Sequence, residues 1–257
     1  MKIATLILGM GFACSLSAFA GGELRYGVEA EYPPFESRNS AGELEGFDID
    51  LGNAVCKAAE LKCSWVEGAF DALIPGLAAK KFDAINSAMN ITDQRRKSID
   101  FTQPIYRIPS QLVGKNGSAV QATADGLKGK TIGVLQGSIQ ETYAKAHWEP
   151  KGVTVVSYKD QNMAWADLLN GRIDASLVMS AAGQAGFLSK PQGKGFGFIG
   201  APVVDDAILG SRIGFGLRKG DEATKRQLDA AIDKIRADGT ITRLAAKYFP
   251  GIDVSVK

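Results

Sequence analysis

The stretch Asn86-Ser-Ala-Met-Asn-Ile-Thr-Asp-Gln-Arg-Arg-Lys-Ser-Ile-Asp-Phe-Thr102 decides the fold. It follows Phe82 to Ile85, a run with apolar ends that reads as a buried strand, and Thr92 is a natural N-cap for a helix carrying Arg95. A helix start therefore faces whatever lies beyond a strand end. Free backbone N–H groups, the positive end of the helix dipole and a guanidinium three residues past the cap together make a site for a small carboxylate. An Arg-Arg-Lys run at 95 to 97 is also what a solvated helix face looks like, so the rest of the chain has to choose between the readings.

Toward the amino terminus, Glu23 to Val28 alternates as a strand and runs into Glu29-Ala-Glu-Tyr-Pro-Pro-Phe35, a loop stiffened by two prolines with an aromatic on each side of them. Glu36 to Glu45 holds turn residues. Gly46 to Cys56 takes up helical spacing, with Phe47, Leu51 and Val55 on one face. Ser64 to Glu67 is a second strand, and Phe70 to Lys81 a short helix with Pro75 in its first turn. The order β-α-β-α-β predicts a parallel sheet covered by helices.

Toward the carboxyl terminus, Ile105 to Val113 is an apolar extended run interrupted by Pro109, and Asn116 to Gly126 is polar and turn-rich. Leu127 to Leu135 opens a second βαβ series, in which Gln136-Gly-Ser-Ile-Gln140 leads into a helix over Glu141 to His147. Once more a strand ends in a small-residue turn at a helix start. Val153 to Tyr158 is a strand, Asn162 to Leu169 a helix and Arg172 to Val178 a buried strand. Phe187 to Val204 is a glycine-rich connection and strand, and Ile213 to Leu217 the last strand. Glu222 to Ala237 and Asp238 to Phe249 are closing helices. Leu77 to Ala84 and Leu168 to Ala175 share a helix end, a basic turn and Asp-Ala, an echo that suits two similar lobes without amounting to a repeat.

The chain begins Met1-Lys2, runs apolar from Ile3 to Ala13 and places small residues at Ala18 and Ala20, the three parts of a secretory signal cleaved after Ala20. A lipoprotein reading needs a Leu-led small-residue box before Cys14, and Gly11-Phe-Ala13 fits it poorly. No later stretch reaches the roughly 18 to 20 apolar residues that span a bilayer. The formal net charge of the chain is +2, with both signs interspersed, which gives no electrostatic case for nucleic acid. Cys56 and Cys63, an isolated pair at short spacing in an exported chain, favour a disulfide between a helix end and the next strand. Half a metal site is the competing reading, with only His147 to add.

Glu29-Ala-Glu-Tyr-Pro-Pro-Phe-Glu36, Gly46-Phe-Asp-Ile-Asp-Leu51, Asp71-Ala-Leu-Ile-Pro-Gly-Leu77, Asn90-Ile-Thr-Asp-Gln-Arg95, Val134-Leu-Gln-Gly-Ser138 and Ala237-Asp-Gly-Thr240 occur in this order. Together they resemble the polar amino acid binding proteins of ABC importers, solute-binding protein family 3, in the branch of the histidine-binding and lysine/arginine/ornithine-binding proteins. The resemblance covers essentially the whole chain beyond the signal, and Cys56 and Cys63 sit where such proteins carry a disulfide. It implies an α/β, two-lobe periplasmic binding protein fold of type II, each lobe a mixed sheet flanked by helices, joined by two crossover strands near Tyr106 to Gln111 and Val204 to Gly210. Residues 1–20 would be the signal, 21–109 with 205–257 lobe one, and 110–204 lobe two.

The same resemblance implies a periplasmic monomer that delivers its ligand to a membrane ABC permease, with no cofactor and no metal. The ligand carboxylate falls to Arg95 and to backbone donors at Asn90 and Ile139. Tyr32 and Phe70 sandwich an aliphatic stem and cationic tip, each face worth about 0.5 to 2 kcal/mol, and Glu29 meets a distal ammonium or guanidinium. Ser87, Leu135, Ser138 and Gln140 line the cleft. One position departs from the pattern: where binders of free amino acids carry an Asp for the α-ammonium, this chain has Met179. Opine-binding relatives also lack that Asp, and Ala88-Met89 is similar to theirs, so the ligand is expected to be a basic amino acid or an opine-like derivative with a substituted amine. A few periplasmic dehydratases share the fold, but Glu29 is the one acid poised to act and no hydrolase, zinc or phosphate-loop motif is present.

Overall fold

The structure, a computed structural model, describes residues 22–118, 120–210 and 212–256. The expected signal, 1–20, lies outside them. The first part of the chain contains β1 (Glu23–Val28), β2 (Ser37–Arg38), β3 (Leu44–Glu45), α1 (Phe47–Ala58), β4 (Lys62–Glu67), α2 (Leu73–Ala78), β5 (Ala84–Ile85), α3 (Asp93–Arg96) and β6 (Ile99–Phe101). Next come β7 (Tyr106–Arg107), β8 (Ser110–Lys115), β9 (Thr131–Leu135), α4 (Ile139–Tyr143), β10 (Thr154–Tyr158), α5 (Gln161–Leu169), β11 (Ala175–Met179), α6 (Ser180–Gly183) and β12 (Phe196–Val203). The chain closes with β13 (Arg212–Ile213), β14 (Gly216–Arg218), α7 (Glu222–Ala237) and α8 (Thr240–Tyr248).

Two five-stranded sheets organise these elements. The first has the order β4-β1-β5-β14-β6, with β1 parallel to β4 and β5, as the alternating β-α-β-α-β pattern predicts. It is mixed because β14 returns from the far end of the chain and enters antiparallel between β5 and β6. The second has the order β10-β9-β11-β8-β12, with β9 parallel to its neighbours and β8 antiparallel to β11 and β12. Between the sheets β7 and β13 pair antiparallel, Tyr106 opposite Ile213 and Arg107 opposite Arg212, so the two passages of the chain between lobes lie side by side.

The single strand expected over Ile213 to Leu217 is two strands, because its first half pairs in this crossing and its second half enters the first sheet. At the break the Phe215 N–H donates to Thr102 Oγ1 at 3.0 Å. The helix expected over Glu141 to His147 begins earlier, at Ile139, because Ser138 Oγ accepts the Glu141 N–H at 3.0 Å and caps it. It then widens into a π-turn over Ala144–Trp148.

Apolar periodicity accounts for the packing of the first lobe. Phe47, Leu51 and Val55 of α1 and Leu228, Ile232 and Ile235 of α7 are buried in one core. Phe47 meets Phe249 at 4.6 Å and Tyr106 at 4.8 Å between ring centroids, which locks the crossing strand onto that core. A smaller core in the second lobe surrounds Trp148 with Ile132, Val134 and Leu177. The Cys56–Cys63 disulfide ties the end of α1 to β4, with Cα atoms 6.2 Å apart. Closing so short a loop stabilises by about 2 to 3 kcal/mol in the chain-entropy view. Among the described residues no helix is long and apolar enough to cross a membrane.

Candidate functional site

Residues 86 to 95 leave β5 and cross the face between the lobes. Asn86 Nδ2 donates to the Asp48 carbonyl at 2.7 Å, and the Ala88 N–H donates to Asp48 Oδ2 at 2.6 Å. Those contacts hold Ala88 at φ 45°, a left-handed conformation that a residue with a Cβ adopts only when its surroundings require it. Thr92 caps α3 as expected, accepting the Arg95 N–H at 3.2 Å. Arg95 is buried, its guanidinium donating to the Asn90 carbonyl at 2.9 Å and the Gly137 carbonyl at 3.0 Å and lying 5.4 Å from the Phe70 ring centroid. Among the described residues no acid pairs with it. Burial pushes its pKa down to about 10.

From the first lobe Tyr32, Phe70, Ser87, Ala88, Asn90 and Arg95, and from the second Leu135, Ser138, Ile139, Gln140 and Met179, line one closed cavity of about 10 Å³. That is room for about one water, far less than an amino acid needs. The closed arrangement is held by hydrogen bonds across the cleft. Gln136 Nε2 donates to Asp71 Oδ2 at 2.8 Å, Asn162 Nδ2 to Glu31 Oε2 at 2.7 Å and the Met179 N–H to Tyr32 Oη at 3.3 Å. At Gly137, φ 77°, a Cβ would lie 2.9 Å from the Asp71 Cα, so a side chain there would obstruct the approach of the lobes. Asn90 lines the cavity, but its side-chain amide is committed to the Gly210 carbonyl at 2.9 Å, in the second passage between lobes. Gln140 Nε2 donates to Ser110 Oγ at 2.8 Å, at the start of β8.

Glu29 stands apart from the other residues named from the sequence. It is buried, and its N–H donates to Ser87 Oγ at 3.0 Å, yet its side chain borders a neighbouring space of about 530 Å³ rather than the closed cavity. Glu31, Glu67 and Asp160 share that space with Arg38, which pairs with Glu67, and with Lys159. Glu29 Oε2 has no donor among the described residues. Burial first, then Glu31 and Asp160, push its pKa up to about 8. Sequence reasoning missed Asp48 and Glu36, both buried behind the 86 to 90 segment, and the cross-cleft residues Asp71, Gln136, Glu31 and Asn162. For Glu36 and Asp48 the signal was available only as acids placed directly after the apolar residues Phe35 and Phe47. His147 lies outside the site, 3.2 Å from Asp205.

Comparison with known proteins gives a single answer. Residues 24–251 match the family described as bacterial extracellular solute-binding proteins, family 3. The chain is 45% identical over 245 residues to the lysine/arginine/ornithine-binding periplasmic protein of Escherichia coli (strain K12), covering 95% of this chain and 94% of that one. It is also 45% identical over 249 residues to the histidine-binding periplasmic protein of the same strain, covering 96% of each. Among solved structures, an ancestral arginine-binding protein bound to arginine matches with a TM-score of 0.82 at 31% identity, over 89% of this chain and 98% of that chain. With two α/β lobes joined by a pair of crossing strands and a match that runs from the first strand to beyond the last helix, the chain belongs to the bacterial extracellular solute-binding proteins, family 3.

Proposed function

We propose that the protein is a periplasmic receptor that captures a basic amino acid, arginine or lysine, between its lobes and passes it to an ABC permease. The observation that carries this reading is a buried cation and a buried acid, neither with a partner of opposite charge among the described residues: the Arg95 guanidinium on the cavity wall and the Glu29 carboxyl in the space beyond Ser87. An uncompensated buried charge costs several kcal/mol, and a ligand with a carboxylate at one end and a cation at the other answers both. The carboxylate meets Arg95 and the backbone donors of Asn90 and Ile139, the stem passes between Tyr32 and Phe70, and the cation reaches Glu29. Ser87, Ala88, Leu135, Ser138, Gln140 and Met179 shape the remaining wall. The names of the relatives point to the same ligand class. Calorimetric titration with arginine, lysine and glutamate tests it: the two bases bind and glutamate does not, and equal affinity for glutamate would refute the reading.

The receptor acts as a monomer and returns its ligand unchanged. The one acid this reading brings to the ligand, Glu29, meets its distal cation, and the residues lining the cavity add no other carboxylate or imidazole. Incubation with arginine followed by mass spectrometry should recover arginine alone.

The α-ammonium is the least well served part of such a ligand, since Met179 takes the place where the family resemblance implies an Asp. Met179 is buried at the end of β11, and its backbone N–H donates to Tyr32 Oη. Met179→Asp keeps that contact and adds a charge-assisted acceptor worth about 1.5 to 3 kcal/mol. Arginine affinity should rise roughly 10- to 100-fold. An N-substituted, opine-like ligand should instead lose affinity, and a wild-type protein that already binds arginine tightly and gains nothing from Asp would mean that backbone acceptors suffice.

A further inference from the structure

The ligand reading leaves unused a pair of carboxyl groups buried under the cavity floor. Glu36 follows Phe35 at the end of the proline loop, and Asp48 sits in the first turn of α1; both are at most 1% exposed. Asp48 uses both oxygens, accepting the Ala88 N–H at Oδ2 (2.6 Å) and the Tyr106 O–H at Oδ1 (2.8 Å). Glu36 Oε1 accepts the Ser87 O–H at 2.8 Å, and Ser87 Oγ in turn accepts the Glu29 N–H at 3.0 Å. Glu36 Oε2 has no donor among the described residues. The two acids are neighbours: the Asp48 N–H donates to the carbonyl of Phe35, the residue before Glu36, at 2.9 Å, and the two carboxyls hold consecutive residues, Ser87 and Ala88. Among the described residues the titratable groups facing them are Glu29, Tyr32 and Tyr106, none of which is cationic. Two adjacent, buried carboxylates without a cation cannot both ionise near neutrality. Burial and the neighbouring acid push the Glu36 carboxyl well above its ordinary range, in agreement with that argument.

We propose that Glu36 and Asp48 share a single proton, Glu36 Oε2–H donating to the Asp48 carboxylate, and that this monoanionic pair positions the cavity segment Ser87–Asn90 against the crossing strand β7. The placement supplies the reason. Among the described residues Asp48 holds both the left-handed Ala88 and the Tyr106 hydroxyl, so it ties the cavity wall to the strand that passes between the lobes. The protonated Glu36 keeps Asp48 ionised and therefore able to accept from both, while its other oxygen holds Ser87. Neither acid touches the ligand; both are positioning residues.

Infrared difference spectroscopy of Glu36→Gln against wild type at pH 7, without ligand, tests the shared proton independently of any ligand assignment. Gln offers an N–H to Asp48 and an oxygen to Ser87, so the expected spectrum loses one protonated-carboxyl band and keeps its carboxylate bands. Loss of a carboxylate band would overturn the proposal. The positioning role has its own readout in arginine affinity. Glu36→Gln should bind within threefold of wild type, while Glu36→Ala and Asp48→Asn should each lose at least tenfold, since an amide offers one acceptor oxygen to two donors. Equal loss in Glu36→Gln and Glu36→Ala would overturn the role. A wild-type protein that binds no arginine would defeat the ligand reading instead, leaving the infrared result to stand or fall by itself.

Discussion

Arg95→Ala will bind arginine roughly 100- to 4,000-fold more weakly than the wild type. Removing one partner of a buried, hydrogen-bonded ion pair costs about 3 to 5 kcal/mol, and each 1.4 kcal/mol is tenfold in affinity. The loss belongs to the liganded state. In the closed structure Arg95 has only the Asn90 and Gly137 carbonyls and the face of Phe70, so its charge is desolvated without a counter-ion. Deleting it removes that penalty along with two hydrogen bonds, and the melting temperature of the ligand-free protein should move by only a few degrees. Calorimetry that finds Arg95→Ala within threefold of wild type would show that the carboxylate is held elsewhere.

The second large effect is expected at Glu29. With a pKa near 8 in the closed protein, raised from the ordinary 4.5, Glu29 is mostly protonated at pH 7 until a cation arrives beside it. A guanidinium binds the ionised form, so ligand binding expels the proton. Arginine affinity should therefore rise with pH by up to about tenfold per unit below pH 8 and level off above it. Titrations in two buffers of different ionisation enthalpy should report the released proton. The same shift acts on stability with its own sign. Because the folded pKa is raised, the ligand-free protein binds more protons than its unfolded chain between about pH 4.5 and 8, and loses stability as pH rises through that window. Glu29→Gln keeps the shape and loses the charge: arginine affinity should fall by roughly 30-fold or more, from about 2 kcal/mol upward for a broken charge pair, and the pH slope should vanish. Wild-type affinity that stays flat from pH 6 to 9 would remove Glu29 from the cation site.

Most of the residues that line the cavity were named through the family resemblance, and local features alone gave the two helix starts and Arg95. Thr92 and Ser138 each cap a helix through a hydrogen bond to the N–H three residues on, a pattern written within four consecutive residues. Each cap sets its helix start at the cavity, bringing Arg95 in one case and Ile139 and Gln140 in the other. Glu29 shows the limit. It lies only three residues before Tyr32, yet Tyr32 reaches into the closed cavity toward Met179 while Glu29 opens into the larger space beside it. Side-chain direction in an irregular loop depends on what packs above it, which neighbouring residues do not state.

By itself the sequence determined the elements and their kind: the βαβ series in each lobe, the Thr92 cap and the Cys56–Cys63 closure. These follow from periodicity, capping and short-range spacing, interactions that close within a few residues. Only the tertiary structure decided the return of β14 between β5 and β6, the splitting of the run after Ile213, the carbonyl partners of Arg95 and the burial of Glu36 and Asp48 behind Ser87 and Ala88. Each brings together groups separated along the chain, so its outcome depends on which surfaces pack and which polar groups are left without water. The burial of an acid such as Glu36 is the plainest case. An exposed glutamate and a buried one are the same letter, and desolvation by the folded chain is what separates them.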